Sequence, residues 1–217
     1  MVSVDLLHTL YLGPLLLLVR YIIWMFRQSD VWSSRMTAGS DKIEISWLQL
    51  RGGLERFYNQ YKKDNPNETL SEVNNLSWRM LGSASKPRLR TRAMQTYGVL
   101  LFARQLLEKY RNHFPAQFEH LHTVIDLLID IVALFRSGGV RLTVAQIQGT
   151  TDIWIRFMVI ARRQTDLKIP KTHLMIHLIQ RAARQGHPKL YATWEDESTV
   201  LEREKKRARE VERAKAS

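Results

Sequence analysis

Two imidazoles four residues apart, His173 and His177, fall on one face of a helix. That is the spacing at which a helix presents two nitrogen ligands to one metal ion. Leu174 follows the first histidine, so the glutamate that a zinc protease places there is missing, and a pair of packing surface histidines satisfies the same spacing. Glu195, Asp196 and Glu197 make the densest acidic cluster in the chain. Their carboxylates are hard oxygen ligands suited to Mg2+ or Mn2+, the ions of phosphoryl transfer; as an acidic first turn they would equally favour the dipole of a following helix. Asp126 and Asp130 form another acidic i, i+4 pair and read as the polar edge of an apolar helix, while His120 and His122, two apart, cannot share a helical face.

The third chemistry is cationic. Lys86, Arg88, Arg90 and Arg92 alternate along 83–92 with no acid among them, a pattern suited to sequence-blind, salt-sensitive phosphate contacts. Arg162-Arg163, Arg181 and Arg184 add further positive charge. So does the run Lys205-Lys206-Arg207-Arg209, but Glu202, Glu204, Glu210 and Glu212 dilute it into the pattern of a solvated helix. No helix-turn-helix spacing, zinc finger or glycine-rich phosphate loop accompanies these runs, so base-specific reading has no support.

The elements that position these groups are expected to be helices. Ten Gly and six Pro in 217 residues leave little turn chemistry for a many-stranded sheet, and a 45% apolar content supplies a core. The absence of Cys excludes disulfides, thiolate metal sites and thiol nucleophiles. An excess of 33 Lys+Arg over 21 Asp+Glu, a formal +12, favours polyanionic partners. We expect an all-α protein, an irregular helical bundle of about seven or eight helices with a charged C-terminal helix.

Along the chain, residues 1–28 read as a hydrophobic N-terminal helix, 29–82 as a helical segment and 83–92 as a basic linker. Residues 93–188 read as a helical core, and 189–217 as an acidic turn with a charged helix. Two readings stand for Leu10–Phe26. It is a buried core helix with Pro14 in its first turn, or a membrane anchor, for which about 20 apolar residues are needed and Arg20 would cost about 2.5–3.5 kcal/mol. A cleavable signal is excluded, since Asp5 precedes the run and Trp24-Met25-Phe26-Arg27 follows it. A helix is expected over 43–63, with Gly52-Gly53 kinking it or admitting a close neighbour. Thr69-Leu70-Ser71-Glu72 has capping-box spacing and should open a short helix reaching Gly82. Further helices are expected over 93–112, 115–136 and 144–164, the last capped by Thr143, and another opens at Pro170.

Three segments together resemble the eukaryotic DDE-type transposases of the broad CACTA-like groups. Asp5-Leu-Leu-His8-Thr-Leu-Tyr-Leu-Gly13-Pro14 is similar to their D-x-x-H…LG element. Pro170-Lys-Thr-His173-Leu-Met-Ile-His177 is similar to their PKxHxxxH element, and Tyr191-Ala-Thr-Trp194-Glu195-Asp196-Glu197-Ser198 to their final aromatic-and-Glu motif. The texture also resembles transposon-derived open reading frames of dinoflagellates. The resemblance implies that Asp5 is the second metal-binding carboxylate and Glu197 the third, with Glu195 as rival, and that His8, His173 and His177 support them. It also implies a helical insertion between the second and third acids, which suits the helical middle of this chain.

Val200 stands where the family often has Asn, and the strand-rich half carrying the first catalytic Asp would precede Asp5. The expectation is therefore a truncated or remnant transposase-like protein, with nonspecific nucleic-acid affinity and no activity alone. Mg2+ or Mn2+ enters only if another polypeptide completes the site. Such a protein would be nuclear or cytoplasmic and could self-associate through its apolar helix. A membrane-anchored helical protein and a helical scaffold are the alternatives.

Overall fold

The computed structural model describes residues 5–32, 39–83, 85–137, 141–161 and 170–188. An entry segment, Leu7–Leu15, is wound as a π-helix and runs into α1 (Leu16–Gln28). There follow α2 (Gly39–Asp64), α3 (Trp78–Leu81), the two-residue strands β1 (Gly82–Ser83) and β2 (Lys86–Pro87), α4 (Ala93–Lys109), α5 (His120–Ser137), α6 (Val144–Ala161) and α7 (Pro170–Gln185). The protein is all-α, and a single antiparallel pair, β1 with β2, is the only sheet among the described residues.

Helical periodicity explains the long elements. Leu121, Val124, Ile125, Leu128, Val132 and Phe135 of α5 are buried at intervals of three and four, the stripe that turns one helix face to a core. Met175, Leu178, Ile179 and Ala182 do the same for α7. Thr143 caps α6 reciprocally: its hydroxyl accepts the Gln146 amide at 3.2 Å, and its own N–H donates to Gln146 Oε1 at 2.9 Å.

The entry segment packs against both α4 and α7, and α4–α5, α5–α6 and α6–α7 complete a closed ring of neighbours. On the outside, α2 lies against α1 and α4. The apolar N-terminal run is thus a core helix in this fold, with Leu10, Leu15, Leu18, Val19, Ile22 and Phe26 at 0% exposure. Leu7–Gln28 is also, among the described residues, the one helix long and apolar enough to cross a membrane, and 67% of an apolar 18-residue stretch within it is buried. The rod bends at Gly13 (φ −113°, ψ −119°), where Pro14 disfavours a helical predecessor. A Cβ on Gly13 would stand 3.2 Å from Lys171 Cβ, so the same glycine lets α7 approach, and Lys171 Nζ donates to the Leu12 carbonyl at 3.0 Å.

Of the two readings of Gly52-Gly53 the close neighbour is the one observed: a Cβ on Gly53 would meet the Phe102 ring at 3.1 Å, so the glycine serves the approach of α4, and α2 runs on through it. One expectation needs revision. The helix expected from Thr69 shrinks to Trp78–Leu81. Glu72, which should close the capping box, instead pairs with Lys62 of α2 at 2.7 Å, and its carbonyl accepts the Gln95 amide of α4 at 2.9 Å. Residues 68–77 therefore follow α2 and α4 without a helix of their own, burying Val73 and Leu76. The charged C-terminal helix and the end of the 144–164 helix lie outside the described residues.

Removing core volume from the rod should be costly. Leu18→Ala is expected to destabilise by about 2–5 kcal/mol in urea unfolding, as for other buried leucines; a loss below about 1 kcal/mol would show the rod to be peripheral. A second test is alkaline. Burial pushes the Tyr58 phenol up from 10.0 to about 12, so the fold holds its neutral form. That stabilisation is whole below pH 10 and is lost as pH rises through about 12, roughly 2–3 kcal/mol in all. Tyr58→Phe should flatten this part of the stability–pH curve.

Candidate nucleic-acid interface

Of the basic run, residues 85–92 are non-helical, as Pro87 demands, and they are folded onto the body of the protein. Gly82 turns the chain with φ +76°; a Cβ there would lie 2.4 Å from the Lys86 carbonyl oxygen, so the hairpin needs glycine. Beyond β2 the Arg88 N–H donates to the Leu81 carbonyl at 2.8 Å and the Arg90 N–H to Met80 at 3.0 Å. Leu89, between them, is buried. At the far end the Arg92 N–H donates to Gln95 Oε1 at 3.0 Å, and Thr91 and Thr96 join hydroxyls at 2.8 Å. The run therefore ends as the N-cap of α4.

Alternation along this extended path puts Leu89 inward and leaves Lys86, Arg88, Arg90 and Arg92 all exposed. None of the four joins an ion pair among the described residues. The backbone is held and the four cations stay exposed, an arrangement that aligns their charge along one segment. Exposed Arg79 neighbours Met80, to which Arg90 is bonded, and the positive end of the α4 dipole adds to the same side of the potential.

A buried cation holds the hairpin from below. The Arg27 guanidinium lies 4.2 Å from the Trp24 ring centroid and 4.3 Å from that of Trp78, and Nη1 donates to the Gly82 carbonyl at 3.4 Å. Trp24 Nε1 donates to the Leu81 carbonyl at 2.9 Å and reaches that of Arg88 at 3.3 Å. Trp78 stacks on Trp47 with centroids 5.2 Å apart. Desolvation lowers the Arg27 pKa, yet the group's ordinary value is so high that it keeps its charge. Two indole faces compensate that charge where a carboxylate would normally be found. Sequence reasoning missed this clamp, since the hydrogen bonds by which it holds the hairpin join residues 55 and 57 apart.

The transposase-like positions are placed as follows. Asp5 is buried and caps the entry segment: its carboxylate accepts the amides of Leu7 at 3.2 Å and His8 at 3.1 Å, and it contacts the exposed His8 imidazole through Nδ1. His173 and His177 stand exposed on α7, Nε2 to Nε2 at 3.1 Å. Among the described residues, no three His, Cys, Asp or Glu side chains gather closely enough to hold a metal ion. Glu195 and Glu197 lie outside the described residues, as do Arg162-Arg163 and the 205–209 run. Asp126 pairs with Arg104 of α4, a surface tie between α4 and α5; Arg184 is exposed and Arg181 half-buried.

The clamp makes a measurable claim about the hairpin. Gly82→Ala should destabilise by about 1–3 kcal/mol and selectively speed hydrogen exchange at the Arg88 and Arg90 amides. Unchanged exchange at those two amides would show that the hairpin does not depend on this turn.

The chain matches no protein-family model, no curated protein and no solved structure.

Proposed function

We propose that this is a helical polyanion-binding protein of transposase-like descent, which contacts nucleic acid through phosphates at Lys86, Arg88, Arg90 and Arg92. The observation that carries the reading is the set of four exposed cations, none in an ion pair among the described residues, on one anchored strand-like segment. Side chains two apart on an extended backbone are about 6.6–6.8 Å from one another, a spacing that lets neighbouring cations meet successive phosphates. Each contact releases a condensed counterion, so affinity is entropic in origin and falls with salt. Phosphate contacts carry no sequence information by themselves, and the ridge offers no amide side chain for a base edge.

Strand cleavage is not part of the proposal. The Asp5 oxygens are engaged by two helix amides and an imidazole, which suits a structural cap better than an open metal ligand. Nucleic acid is preferred over a bilayer as the polyanion because the rod that would anchor the chain has its apolar surface packed against α2, α4 and α7.

The test is a salt series. Duplex DNA binding by the full chain should show a log–log slope near −3 to −4, about 0.9 per phosphate for four contacts, and an Arg88→Gln, Arg90→Gln variant should lose about two units of slope. Both positions are exposed, so the variant should keep its melting temperature. Binding that ignores salt, or that survives neutralisation of all four cations, would sink the reading.

A further inference from the structure

We propose that His173 and His177 form a two-histidine site for a late first-row divalent cation such as Zn2+, Ni2+ or Cu2+. The inference is independent of the nucleic-acid reading and rests on geometry. Two imidazole nitrogens bound to one ion at about 2.0–2.1 Å, with an angle between square and tetrahedral, stand about 2.8–3.4 Å apart. The two Nε2 atoms are already 3.1 Å apart. The ring centroids are 4.8 Å apart and the ring planes are inclined at 88°, so the short Nε2–Nε2 approach is made without stacking the rings.

The helix holds the pair in place. Thr172, Met175, Leu178, Ile179 and Ala182 are buried on the other side of α7, which fixes its rotation and keeps both imidazoles at the surface. An ion can therefore arrive from solvent and keep water in its remaining positions. The nearest preceding cation, the Lys171 ammonium, is bound to the Leu12 carbonyl at 3.0 Å. Without metal, one Nε2–H donates to the other Nε2. Metal replaces that hydrogen bond, and the donating ring takes the tautomer protonated at Nδ1, so both nitrogens offer lone pairs without net proton release. Imidazole pairs suit Zn2+, Ni2+ and Cu2+ and discriminate against the oxygen-seeking Mg2+.

The experiment is a Zn2+ titration of the full chain at neutral pH, followed by calorimetry and by imidazole 15N NMR. One ion should bind, and the Nε2 resonances of His173 and His177 should shift together. His173→Ala and His177→Gln, both at exposed positions, should each weaken binding by about tenfold or more. The melting temperature should rise with Zn2+ in the parent and not in either variant, because metal that binds the folded helix stabilises it by mass action. Ni2+ should compete and Mg2+ should not. His8→Ala, which alters the histidine in contact with Asp5, should leave the affinity unchanged. Undetectable binding, binding that survives both α7 substitutions, or binding lost in His8→Ala alone would each overturn the proposal.

Discussion

Burial of the apolar rod Leu7–Gln28 is the constraint around which the other helices are arranged. A rod with so many fully covered side chains needs neighbours on several sides, and it finds them in α2, α4 and α7. α5 and α6 touch it less and serve to close the ring from α4 to α7. The glycines that look like interruptions follow from the same demand: Gly13 lets α7 come close to the rod, and Gly53 lets α2 meet Phe102 of α4. One hydrophobic cluster consequently runs from Leu6 to Ala182, and residues on both sides of the basic run 83–92 belong to it.

The rod also reaches the surface chemistry. Its last turn supplies Trp24 and Arg27, which grip the hairpin through carbonyls of Leu81 and Gly82. An unpaired buried charge would ordinarily be strongly destabilising. Here the indoles of Trp24 and Trp78 offer their negative faces, and the cation needs no anion that would draw the ridge's arginines inward. The aromatic clamp and the exposed cations are in this sense one arrangement.

What could be read in the sequence was local. The buried stripes of α5 and α7, the break at Pro87, the Thr143 cap and the helix start at Pro170 all follow from spacing and residue type within a turn or two. The exposure of Lys86, Arg88, Arg90 and Arg92 follows from their alternation. Contacts made by distant residues were hidden. Nothing near Thr69 announces that Lys62 takes the carboxylate meant for its cap, and nothing near Arg27 announces Trp78. Asp5 was ambiguous for a different reason: the short acidic side chain that ligates metals is also among the best helix caps, and spacing alone does not separate the roles.

Closure of the ring between Leu12 and Lys171 spans 159 residues, and this bears on how the chain is made. Synthesis delivers the rod before the helices that cover it, and α7 follows α2 and α4. Until then a ribosome-bound nascent chain displays its stickiest segment with only part of its shelter available. Contacts of such long sequence separation are slow to form, because the loop must be closed before the contact contributes. Intermediates with exposed apolar surface adhere to one another or to chaperones. Among the described helices, the most deeply buried element is thus the one that waits longest between its synthesis and its full cover.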